Sequence, residues 1–177
     1  MKKKPIYLWV LLVLSALISA SSLFGILGPV PSKEVLRASL SNSGSLTAQQ
    51  IEDTVNYTYQ VTASSHSIFN VVLIVLSAIL VVVAFVFLVR KNVQFANYAY
   101  LGYLLLAIVG LVYSFMNIQD ALQLIKDDTL GLGIGALAKG TVILFMIINV
   151  LFLALVFYKM WRQQKDLAEE AEAEEVA

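Results

Sequence analysis

The 177-residue chain has no cysteine, a single histidine and three prolines, and only 14% of its residues are charged. Without cysteine there are no disulfides, zinc–thiolate centres, iron–sulfur clusters or thiol nucleophiles. One imidazole, His66, restricts histidine chemistry almost as far. The formal net charge is zero, so the chain lacks the basic surplus of a nucleic-acid binder and no nucleic-acid partner is expected. Its few charges sit in short islands, and the stretches between them contain no Asp, Glu, Lys or Arg at all.

What fills those stretches is apolar: 59% of the residues are hydrophobic, more than a water-soluble core of this size can hide. Four runs stand out, from about Ile6 to Val30, Ile68 to Val89, Phe95 to Met116 and Thr141 to Tyr158. A helix needs roughly 20 apolar residues to cross the hydrocarbon core, and each run approaches or exceeds that length. The expected fold is therefore all-α, a single polytopic membrane domain of four transmembrane helices. Outer loops over 31–67 and 117–140 and a tail over 159–177 complete it.

Lys and Arg beside a span are retained in the cytoplasm. One side of the predicted topology carries Lys2, Lys3, Lys4, Arg90, Lys91, Lys159, Arg162 and Lys165, against Lys33, Arg37, Lys126 and Lys139 on the other. Both ends are expected inside. Tyr7, Trp9, Tyr98, Tyr100, Tyr103, Tyr158 and Trp161 cluster at the same ends of the spans, and are expected to form an aromatic belt at the inner interface. The rival reading is a cleaved signal peptide, because Lys2 to Lys4, an apolar run and Ser19 to Ser22 imitate its three regions. Apolar character continues through Leu23, Phe24, Ile26 and Leu27, so a retained span is expected.

In the first outer loop, Pro29 and Pro31 end the first helix and Ser32 is placed to cap a short turn. Ser41 to Ser45 reads as a flexible link. Thr47 and Gln50 have capping-box spacing, and Ile51, Val55 and Tyr59 recur every four residues, which predicts a helix over Ala48 to Val61. The absence of Gly and Pro between Gly44 and Gly102 allows this helix to run on into the second span, while Thr62 to Ser67, rich in poor helix formers, allows an interruption. Arg90 to Gln94 leaves room only for a tight turn between antiparallel spans. Ile118, Ala121, Leu122 and Ile125 share a helical face, extending the third span, while Gly131 to Gly140 reads as a flexible or close-packed approach to the fourth. The tail carries Asp166, Glu169, Glu170, Glu172, Glu174 and Glu175, a solvated helix or disorder.

Ser15, Ser19 and Ser22, followed by Gly25, lie on one face of the first span. Small residues let helices approach closely in lipid, and Gly102 and Gly110 in the third span fit the same role. Ser77 and Asn149 lie near the middles of spans two and four, where an unpaired amide is costly, so Asn149 is expected to face protein and bond another helix. These seven residues are the candidate helix-packing or path-lining set. Gly131-Leu132-Gly133-Ile134-Gly135 satisfies no phosphate-loop pattern, and Asn56-Tyr57-Thr58 is a glycosylation sequon of low specificity. His66, Glu34, Glu52 and Asp53 lack metal-ligand spacing. No catalytic, cofactor or metal site is expected.

No Asp, Glu, Lys, Arg or His lies inside a span, which disfavours proton pumps, voltage sensors and ion-coupled carriers. Intramembrane catalysis needs a nucleophile with a base, paired aspartates or a metal, and the spans offer isolated hydroxyls and amides. The expected function is a non-catalytic accessory or scaffold subunit of a membrane complex; a small transporter or channel component acting as an oligomer is the alternative. Expected partners are the bilayer and other membrane proteins or further copies of the chain. Four spans with a larger first outer loop superficially resemble claudin-like tetraspan proteins, but the paired cysteines of that loop are absent here. The lysine-rich start, acidic tail and lack of cysteine are similar in style to small bacterial membrane proteins, which places the chain in a cell membrane.

Overall fold

A computed structural model describes residues 5–42 and 46–175. Lys2, Lys3 and Lys4 of the basic flank, and Ser43, Gly44 and Ser45 of the link, lie outside the described residues. The fold of the described residues is all-helical, with six helices among them: α1 (Ile6–Leu27), α2 (Lys33–Ser41), α3 (Ala48–Ser65), α4 (Ile68–Val89), α5 (Val93–Leu122) and α6 (Asp128–Glu175). Four of them, α1, α4, α5 and α6 up to Asp166, are long and apolar enough to cross a membrane.

Local signals set most of the boundaries. Pro5 precedes α1, where its missing N–H costs nothing. The helix stops at Leu27, three residues short of the expected Val30, because a residue before proline is forced out of the helical region; Gly28, ahead of Pro29, is extended at ψ 150°. Ser32 caps α2 through the Val35 N–H, and the Thr47–Gln50 capping box opens α3 with both of its reciprocal bonds. The interruption that Thr62 to Ser67 allows is present and falls at its end. Ser65 Oγ donates back to Thr62 O, which carries α3 four residues beyond Val61, and Ser67 then caps α4 by accepting from Asn70 N.

The turn between α4 and α5 is as short as expected. Lys91 adopts φ 61°, the left-handed position usually held by glycine, while its N–H bonds Leu88 O and the Asn92 N–H reaches Phe87 O. The Asn92 side chain then caps α5 through Phe95 N.

The largest departure from the sequence reading lies in α6. Gly131 to Gly140 takes the close-packed one of the two expected alternatives, and is not an outer loop but part of a 48-residue helix, about 72 Å long at 1.5 Å per residue. Asp127 starts this helix by accepting from the Leu130 N–H at 2.8 Å. Gly135 then lets it lie against α5, since a Cβ there would stand 3.2 Å from Leu122 Cδ1. Tertiary packing and a cap outweigh the low helix propensity of glycine.

α1 packs on α4, α4 on α5 and α5 on α6, while α3 lies across α5 and carries α2. One end of this assembly bears Arg90, Lys91, Lys159, Arg162 and Lys165 and is called the basic end; the other, covered by α2 and α3, is the capped end. The main hydrophobic core belongs to the basic half, where Leu8, Leu12, Ala84, Tyr100, Leu104 and Val156 are buried together. At the capped end, Arg37 and Glu52 form an ion pair at 2.7 Å and Lys33 donates to Asn56 at 2.7 Å, joining α2 to α3.

Candidate binding cavity

Polar side chains set into apolar helices must find partners or face something polar. In the basic half they find each other. Tyr7 Oη donates to Asn97 Oδ1 at 3.0 Å, and Asn97 Nδ2 donates to Gln163 Oε1 at 3.4 Å, which ties α1, α5 and α6 together. Asn97 is fully buried. Ser15 and Tyr100 pair through their hydroxyls at 3.0 Å, also inside the protein. Tyr100 and Tyr103 therefore do not join an interfacial belt, as their positions in sequence suggested. Both are buried and stack at 5.5 Å, leaving Trp9, Tyr98, Tyr158 and Trp161 as the exposed members of the expected belt.

Towards the capped end the helices diverge around a cavity of about 510 Å³. Ser19, Ser22 and Gly25 of α1 form one wall, Ser77 of α4 and Gly110 and Ser114 of α5 the back, and Phe145 and Asn149 of α6 the opposite wall. Tyr103 lies at its deep end, next to the Ser15–Tyr100 pair. Thr62, Ser65, His66 and Asn70, from the α3–α4 corner, contribute the rest of the polar lining.

Five of the seven residues singled out in the sequence thus meet in one place: Ser19, Ser22, Ser77, Gly110 and Asn149. Ser15 continues the same α1 face into the core. Gly102 belongs to packing alone, since a Cβ there would stand 3.3 Å from Leu80 Cδ1. Gly110 is different, with nothing within 4 Å of the position a Cβ would take. Within the chain Asn149 bonds its own helix, its Nδ2 donating to Phe145 O at 2.8 Å, and the side chain lines the cavity. Back-bonding of this kind satisfies the donor without a neighbouring helix.

The cap above the cavity is held by buried polar contacts. Asp53 of α3, 1% exposed, accepts from the Lys126 N–H at 2.9 Å and the Asp127 N–H at 3.1 Å, with Gln49 Nε2 at 2.7 Å on its other oxygen. Burial pushes its pKa up, but the Lys126 N–H, Gln49, the Asp127 N–H and the Lys126 charge together outweigh it and hold the carboxyl below its ordinary value. Asp127 is also held low, chiefly by the Leu130 N–H and by Gln50, against burial and with help from the Thr129 N–H. His66 anchors α1 to the α3–α4 corner, with Nε2 2.9 Å from Gly28 O and Nδ1 2.9 Å from Thr62 O.

These contacts separate His66, Glu52 and Asp53 from one another: each is taken up by a different protein group, and the described residues contain no metal-binding cluster of three. Ser65 lies 3.3 Å from His66 Nδ1, but its hydroxyl donates to Thr62 O at 2.7 Å. The cavity presents hydroxyls, amides and the His66 imidazole, whose two nitrogens are taken up by backbone carbonyls, beside apolar walls.

Sequence reasoning missed Asn97 and the cavity role of Tyr103. An amide in an apolar run is itself a signal in the sequence, although its partners are not, whereas Tyr103 reads the same whether it faces lipid or protein. No curated protein and no solved structure matches the chain. Residues 1–169 match the family model described as a domain of unknown function, DUF8777, and the chain belongs to that family.

Proposed function

We propose that this is a four-span protein of a bacterial cell membrane, with both ends in the cytoplasm, that acts without catalysis as an accessory or scaffold subunit of a membrane complex. The observation that carries this reading is the exposure of α6. Only 11% of its most apolar window is buried within the chain, against 22% in each of the other three long apolar helices. Leu137, Leu144, Ile147 and Leu151 leave a long apolar face open to lipid or to another helix. The cap adds a second surface, because Asp53 and the Arg37–Glu52 pair fix α2 and α3 on the α5–α6 turn. The commitment of the Ser65 hydroxyl to a backbone carbonyl favours the non-catalytic reading.

Crosslinking of the purified protein is expected to recover one different membrane protein at fixed stoichiometry through α6; a pull-down that recovers none would sink the scaffold role. For orientation, cysteine introduced at Ser41 should label from outside the cell and at Asn92 from inside. The reverse pattern overturns the topology. A second reading, a transporter or channel component, draws on the polar cavity. The packed basic half, with Tyr100, Leu104 and Val156 between the helices, favours a path between protomers over one through a single chain. A homo-oligomer with solute flux in proteoliposomes would support it.

A further inference from the structure

Tyr103 and Ser19 are 5% and 7% exposed, line the cavity, and have hydroxyls without a hydrogen-bond partner among the described residues. No fully enclosed side-chain polar atom among the described residues is left unpaired, so both oxygens border the cavity space. An unpaired hydroxyl against hydrocarbon is costly, and such groups require a hydrogen-bonding occupant. Asn149 adds a carbonyl oxygen, its Nδ2 being engaged by Phe145 O.

The remaining surface selects the kind of occupant. Among the described residues no Asp, Glu, Lys or Arg lines the cavity, and both ring nitrogens of His66, its one ionisable imidazole, are taken up by Thr62 O and Gly28 O, so no charged group is free to pair with a charged head group. Leu73, Ile74, Leu106 and Phe145 supply apolar wall, which water alone does not match. About 510 Å³ lies within the 300–1,000 Å³ usual for small-molecule sites. Because α1 packs on α4 and α6 on α5, the two cavity walls formed by α1 and α6 are the ends of the packing order, and the gap between them faces sideways.

We infer that the cavity binds an uncharged amphiphile from the surrounding lipid, with a hydroxyl-bearing head group on the unpaired oxygens of Ser19, Tyr103 and Asn149 and a hydrocarbon chain leaving between α1 and α6. The assignment rests on the membrane-spanning reading but not on the scaffold role. Its test uses the full chain in phosphatidylcholine nanodiscs with a photoactivatable monoacylglycerol. Adducts are expected to concentrate on cavity residues of α1 and α5. Gly110→Leu, whose side chain enters open space, should lower their yield about tenfold without lowering thermal stability.

Adducts spread evenly over lipid-facing positions such as Val82 and Leu151, or a yield unchanged in the filled variant, overturn the proposal. So does equal labelling by a photoactivatable fatty acid, whose head group is anionic. Should Gly110→Leu not fold, Ser22→Cys alkylated with N-ethylmaleimide after purification fills the same space in a folded protein. Alkaline carbonate extraction separates the two levels of failure. Release of the chain refutes the membrane-spanning reading, whereas retention without cavity adducts refutes the ligand assignment alone.

Discussion

The packed basic half and the cavity treat polar side chains in opposite ways. In the basic half, Tyr7, Asn97 and Gln163 bond in series and Ser15 meets Tyr100, all beside a continuous apolar core. In the other half, Ser19, Ser22, Ser77, Ser114 and Tyr103 face a shared cavity without bonding each other. The residue types are nearly the same. What differs is whether the helices are close enough for those groups to reach one another, so a hydroxyl in an apolar helix is packing glue where helices touch, as for Ser67 and Tyr113 at 2.9 Å, and free binding capacity around the cavity.

The largest expected contrast comes from one substitution made in both halves. Leu104 is fully buried in the core, and Leu104→Ala should cost roughly 2–5 kcal/mol by lost transfer energy and a new void. Leu106→Ala removes atoms that already border empty space, and should cost roughly 1 kcal/mol, since little new cavity is made. Equal losses, measured by reversible unfolding in detergent micelles, would erase the packing difference.

A second contrast concerns the cap. Asp53→Asn keeps the size of the side chain but loses the charge that receives the Lys126 and Asp127 amides, so those amides should exchange hydrogen roughly tenfold faster, while Leu104 and its neighbours keep their protection. Acid should do the same to the parent protein. The Asp53 and Asp127 carboxyls have pKa values below the ordinary range when folded, so the stability they contribute is present above about pH 4 and is lost as the pH falls through those lowered values. The Tyr7–Asn97–Gln163 chain does not titrate in that range. Hydrogen exchange across an acid series should show the cap loosening first; a basic half that loosens before the cap would contradict the assignment.

Features encoded within one turn were legible in the sequence. Thr47 with Gln50, Ser32 before α2, and the turn after Arg90 each depend on residues three to five apart. The face shared by Ser15, Ser19 and Ser22 followed from helical period alone. The meeting of Ser77, Gly110 and Asn149 with that face did not, because it depends on how three other helices are rotated. Asn97 escaped for the same reason, its partners lying 90 and 66 residues away. The run from Gly131 to Gly140 reads locally as an outer-loop approach, flexible or close-packed, and the Asp127 cap with the approach of α6 to Leu122 makes it a close-packed helix.

A smaller effect tests the paired hydroxyls directly. Tyr100→Phe removes the bond to Ser15 and little else, and should cost about 0.6 kcal/mol if the pair behaves like typical interhelical hydrogen bonds in lipid. Combining it with Ser15→Ala should add almost nothing, because either change removes the same interaction. Full additivity of the two would mean that the hydroxyls stabilise the protein through other partners.

The smallest expected effect is the most pointed. Ser77→Ala and Ser114→Ala remove hydroxyls that line the cavity and have no protein partner among the described residues, so each should change stability by no more than about 0.5 kcal/mol in ligand-free detergent. In nanodiscs containing an uncharged amphiphile the same substitutions should become measurable, since the hydroxyls then have something to bind. Ser15→Ala serves as the reference, costing the same in both media because its partner, Tyr100, is part of the protein. If Ser77→Ala cost as much as Ser15→Ala in detergent alone, its hydroxyl would already be satisfied within the fold, and the cavity would have to be read as a looser version of the packed half.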